Sequence, residues 1–186
     1  PAPPGGGETR QDFKVSEQKK SRPVKTLLIV FHSRTGGAAQ MAQAAANGAR
    51  ETGGVNVRLL EAEAAHPDDV LTADGYIFCT PENLAALSGA MKEFFDRNYY
   101  PALDRINGRP FAAMICAGSD GQGALRQITR VTTGWRLKQI AEPIIALTHA
   151  QTPDTIQAPK TIAAVDLQRC TELGAAMASG LELGVF

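Results

Sequence analysis

The chain has 186 residues, 44% hydrophobic and 20% charged, with a formal net charge of zero, which suits one globular domain with a substantial core. Residues 1–25 hold six basic and three acidic residues, leaving the remainder at −3, a weakly acidic body that gives no electrostatic footprint for nucleic acid. Cys79, Cys116 and Cys170 show no CxxC spacing, so neither a metal site nor a disulfide framework is expected, and packed, reduced thiols fit a cytoplasmic protein.

Residues 1–23 are rich in Pro, Gly and charge and cannot bury enough surface to offset chain entropy. They read as a disordered tail ahead of one domain, 24–186. They lack the apolar stretch of a secretory signal, and no run in the chain is long enough to span a membrane. Leu27 to Phe31 form a continuous apolar run, the pattern of a buried parallel strand. It ends in Ser33-Arg34-Thr35-Gly36-Gly37-Ala38, and then Met41, Ala44, Ala45 and Gly48 recur at helical spacing. A loop of hydroxyls and glycines at a helix N-terminus aims backbone N–H groups at one point and attracts phosphate. Neither the lysine of a P-loop nor GxGxxG spacing is present. His32 reads as a loop-packing residue.

Gly53-Gly54 stops the first helix. Val55 to Leu60 alternates as an outer strand, and Asp68-Asp69 is placed to start a short helix. Tyr76 to Cys79 is a third strand, followed by the turn Thr80-Pro81-Glu82-Asn83-Leu84 and a helical face of Leu87, Met91, Phe94 and Phe95. Phe111 to Cys116 is a fourth strand. The turn after it, Ala117-Gly118-Ser119-Asp120-Gly121-Gln122-Gly123, has three glycines that let backbone approach a flat ligand. Leu125, Ile128, Thr132 and Trp135 mark the next helix, Pro143 to Leu147 a fifth strand, and Cys170, Leu173, Met177 and Leu181 the last helix. The connection from His149 to Thr161 is expected over the surface near the last strand.

Strands alternating with helices predict right-handed βαβ units and a parallel sheet covered on both faces. Two rival motifs in the turn after the fourth strand fail. Gly121-Gln122-Gly123 imitates a Rossmann start, but Arg126 occupies the place of the third glycine. Ala117 to Gly121 imitates a nucleophile elbow with alanine in the first place, and no acid is well placed between Ser119 and His149.

The first loop resembles the flavodoxin family's [ST]-x-T-G-x-T phosphate loop through Ser33, Thr35 and Gly36, with Ala38 where the family often has a third hydroxyl. The run from Thr80-Pro81 to Lys92-Glu93-Phe94-Phe95-Asp96-Arg97 is similar to the loop and helix after strand 3 in flavodoxin-like reductases. The resemblance implies a three-layer fold with a five-stranded parallel sheet of order 2-1-3-4-5. It implies FMN at the carboxyl edge, beside strand 1. Its phosphate would lie against Ser33, Arg34, Thr35, Gly36, Gly37 and Ala38. Its ring would lie against Thr80, Pro81, Glu82, Asn83 and Leu84 on one side and Ala117, Gly118, Ser119, Asp120 and Gly123 on the other. No side chain need be a catalytic acid or base, since the flavin carries the chemistry. The implied activity is NAD(P)H-dependent reduction of a quinone or similar small acceptor. The alternatives are an electron-transfer module for a protein partner, which strongly acidic carriers suit better, and a degenerate interaction protein. A homo-oligomer is left open.

Overall fold

The computed structural model describes residues 23–186; the segment 1–22, most of the expected tail, lies outside the described residues. The apolar runs form the strands they predict. β1 (Lys25–Phe31), β2 (Val55–Glu61), β3 (Gly75–Asn83) and β5 (Pro110–Ala117) run parallel to one another. The order is β2-β1-β3-β5-β6, and both β6 (Lys138–Gln139) and β7 (Ile144–Leu147) pair with β5. The expected five positions are therefore present, with the fifth broken into two short pieces along one edge. A further two-residue strand, β4 (Ala86–Leu87), folds back antiparallel on the end of β3.

Side chains alternate across each central strand, and that alternation divides the core. Leu27, Ile29, Ile77, Cys79, Met114 and Cys116 face α1 (Gly37–Thr52) and α6 (Ala164–Leu183). Leu28, Val30, Tyr76, Phe78, Phe111 and Ile115 face the opposite layer, built on α3 (Gly89–Ala102) and α4 (Gln122–Gly134), with α2 (Pro67–Thr72) at its margin. Trp135, Phe94, Phe95 and Phe78 form one aromatic cluster there, with ring centroids 5.1–6.4 Å apart. On the other face α1 and α6 meet through glycines. A Cβ on Gly48 would overlap the Thr171 carbonyl, and one on Gly174 the Ala45 carbonyl.

One element differs from the sequence reading. Leu87, placed by spacing on the helix of Met91, Phe94 and Phe95, lies instead in β4, and α3 begins only after Ser88. Ser88 caps α3 by accepting from the Met91 N–H at 3.4 Å, and the extended backbone of a capping residue separates strand from helix. The last connection also contains a short helix, α5 (Pro153–Gln157), opened by a reciprocal Thr152–Thr155 cap.

Candidate functional site

Three turns converge at the carboxyl ends of β1, β3 and β5, which lie side by side in the sheet. The turn after β1 carries the feature with most chemical consequence. Gly36 adopts φ +87°, a left-handed conformation that favours glycine, and α1 starts on it. The helix leaves its first amides without intrahelical partners. Among the described residues, no protein acceptor meets the backbone N–H of Ser33 through Ala39. Gln40 is the first whose N–H is satisfied, by the Gly36 carbonyl at 3.1 Å. The Ser33 hydroxyl is buried and also has no partner. Buried polar groups are normally hydrogen-bonded, so the hydroxyl and the amides form a donor set that lacks its acceptor. Arg34 at the rim is exposed, and Thr35 is half-buried.

Two supports hold that turn. From below, Cys116 presses against it: a Cβ on Gly37 would stand 2.5 Å from the Cys116 Sγ. Burial pushes this thiol up to about 11, against the pull of the nearby Lys160 charge. Ala38 is buried, and its carbonyl accepts from the Cys79 thiol at 3.3 Å. From the side, the last connection is clipped on. The Lys160 N–H donates to the Thr35 carbonyl at 2.8 Å. The Gln40 side chain donates to the Lys160 carbonyl at 2.6 Å and accepts from the Ile162 N–H at 3.2 Å. The connection thus reaches past the last strand to the first loop. No periodicity marks Gln40 for this role, because its partners lie 120 and 122 residues away.

The turn after β3 is a hairpin. Thr80 is fully buried, and its hydroxyl is turned inward: it pairs with Ser88 Oγ at 3.1 Å and accepts the Ser88 N–H at 3.2 Å. Pro81 and Asn83 are half-buried, and Leu84 at the tip is fully exposed. Glu82 does not project freely. Its Oε2 accepts from the Gly121 N–H at 2.8 Å, and its Oε1 from those of Gly123 and Ala124 at 2.9 and 3.2 Å. The N-terminus of α4 is thereby filled by a carboxylate of the neighbouring turn.

The turn after β5 is lined by Ala117, which is buried, the half-buried Gly118, and the exposed Ser119 and Asp120. Gly121, at φ +79°, starts α4 as Gly36 starts α1. Gly123 has no room for a side chain, because a Cβ would overlap the Ala85 carbonyl. Gly123 and the amide of Gly121 face the hairpin, while Gly118 backs onto Ala150 of the last connection.

The donor set of the first loop fits a phosphate dianion: amides at a helix N-terminus, a left-handed glycine and one orphaned hydroxyl are what such an anion requires. Among the described residues, no helix is long and apolar enough to cross a membrane.

A family model described as NADPH-dependent FMN reductase matches residues 64–152, which include the second and third turns. A protein named flavodoxin from Aquifex aeolicus is 36% identical over 97 residues, covering 52% of this chain and 52% of that protein. A protein named NAD(P)H dehydrogenase (quinone) from Acidithiobacillus ferrooxidans is 36% identical over 91 residues, 38% of this chain and 46% of that protein. The chain spans about half the length of the curated relatives it matches. Among solved structures, a flavodoxin from the domain Archaea superposes with a TM-score of 0.68 at 19% identity, over 84% of this chain and 99% of the other. A flavodoxin, WrbA-like protein from Agrobacterium tumefaciens gives 0.67 at 19%, over 86% and 98%. The chain thus has the fold of the flavodoxins and, over about half of its length, is similar in sequence to FMN reductases and flavodoxins.

Proposed function

We propose that this chain binds one FMN and acts as an NAD(P)H-dependent reductase of quinones or similar small acceptors. The observation that carries the reading is the set of unpartnered amides around Gly36–Ala38 with the buried, unpartnered Ser33 hydroxyl. Those groups would take the FMN phosphate, and the ends of β3 and β5 would lie along the ring. FMN, when bound, supplies two-electron chemistry. The chain's own part is to hold the phosphate, to set the two flanking turns at a fixed spacing and to leave a face accessible to substrates. The names of the curated relatives, a quinone dehydrogenase among them, support the oxidoreductase class.

The test is a calorimetric titration with FMN and with riboflavin. Wild type is expected to take one FMN per chain. Gly36→Asp puts a negative charge and a side chain at the phosphate's approach, where a Cβ meets nothing closer than the Gln40 side chain at 3.8 Å. It is expected to weaken FMN at least tenfold more than riboflavin. No saturable binding by wild type at high micromolar FMN, or equal loss of both ligands in the variant, would remove the reading. A second reading, an electron-transfer module for a protein partner, is favoured by the full exposure of Leu84 at the site's rim. Stopped-flow mixing separates the two: bleaching of the visible flavin band by NADPH or NADH supports the reductase, and bleaching only by a reduced redox protein supports the module.

A further inference from the structure

Two helices present their N-termini at the same edge of the sheet, each started by a left-handed glycine, Gly36 at +87° and Gly121 at +79°. They are treated oppositely. The amides of α1 are open, whereas three amides of α4 are taken by the Glu82 carboxylate. Glu82 comes from β3, 39 to 42 residues away in sequence, so this is a tertiary bond set and not a local cap. Around it the hairpin is fixed to α4 twice more. Gln127 Oε1 accepts from the Leu87 N–H at 2.9 Å, and Gly123 lies flat under the Ala85 carbonyl. β3 stands between β1 and β5. A ligand held by the α1 amides and reaching across the strand ends toward the third turn passes over the end of β3, where Glu82 sits.

We propose that Glu82 is a positioning residue with an electrostatic effect. It locks the second turn to the third, and its charge cancels the positive end of α4 beside the flavin. A helix N-terminus carries about half a positive charge, which would favour the electron-rich reduced cofactor. A full negative charge seated on it favours the oxidised form. Glu82 thus makes bound FMN a stronger reductant than the bare helix end would. The inference rests on the FMN reading above.

The experiment uses Glu82→Gln and Glu82→Asp. Glu82→Gln keeps the size but loses the charge and one acceptor. Glu82→Asp keeps the charge but falls short of the α4 amides. In apo protein, amide hydrogen exchange at Gly121, Gly123 and Ala124 is expected to speed up at least tenfold in both variants. In FMN-loaded protein, the oxidised-to-reduced equilibrium of Glu82→Gln is expected to move about tenfold toward reduced, about 30 mV upward for a two-electron couple. Glu82→Asp is expected to stay near wild type. A purely structural latch would change exchange and leave the potential of Glu82→Gln at the wild-type value, and that result overturns the proposal. So does a potential that moves equally in both variants. Failure of wild type to bind FMN strikes the functional reading, whereas binding with an unmoved potential strikes this inference alone.

Discussion

Gly37 occupies the tightest place in the first turn. A methyl group there would meet Cys116 Sγ at 2.5 Å, with Ile162 and Lys160 side-chain carbons at 3.3 Å. None of these neighbours is free to retreat: Cys116 is on the buried strand β5, and Lys160 and Ile162 are clipped by Gln40. Overpacking of this kind costs about 1–3 kcal/mol. Gly37→Ala is therefore expected to lower the urea midpoint by an amount in that range, and a midpoint equal to wild type would mean that the turn yields. At this scale the sequence was legible where the backbone itself dictated the residue. Gly36 and Gly37 stand out because a turn before a helix needs them. Glu82 is marked by the resemblance only as a residue beside the ring, and Gln40 is not marked at all, since the bonds both make depend on partners brought near only by the folded sheet.

The hairpin from β3 to β4 is the element the sequence concealed. Two-residue hairpin turns of type I′ need positive φ at both central positions and usually announce themselves as Asn-Gly or Asp-Gly. Here the positions are Leu84, at +50°, and Ala85, at +57°, residues that give no turn signal, and Leu87 consequently reads as part of the next helix. Left-handed backbone costs an L-residue about 1–2 kcal/mol, of which Gly would return about 0.5–1 as lost chain freedom. The double change Leu84→Asn, Ala85→Gly is thus expected to stabilise the protein by about 1 kcal/mol, read as a higher urea midpoint. A lower midpoint would show that Leu84 makes a contact worth more than the strain. The central strands β1, β3 and β5 were readable for the converse reason: their apolar runs are buried on both faces.

Across the molecule, ionisable groups of one kind are shut inside. Burial pushes Cys116 up to about 11 and Cys170 and Tyr76 up to about 12, and Cys79 well above its ordinary value. Each group holds its proton more tightly folded than unfolded. Its stabilising contribution is whole below its ordinary value, about 8.5 for a thiol and about 10 for a tyrosine, and is lost as pH climbs toward 11 and 12. Stability should therefore fall steadily above about pH 9. Urea midpoints at pH 7.5, 9 and 10 measure it, and a flat series would mean that these groups ionise without unfolding. The overall architecture was the most legible layer of all, because it follows from the alternation of strand and helix. The break of the edge into β6 and β7 was not, since it reflects pairing with different stretches of β5.

The Gln40 clip has a consequence in time. The first loop of the site is among the earliest parts of the domain to leave the ribosome, yet its hydrogen bonds run to Lys160 and Ile162. Synthesis proceeds at roughly 5–20 residues per second, so the loop waits several seconds for the chain that braces it. A nascent polypeptide has the Ser33–Ala38 sequence long before it has the braced turn, and the first loop translated is among the last to be finished.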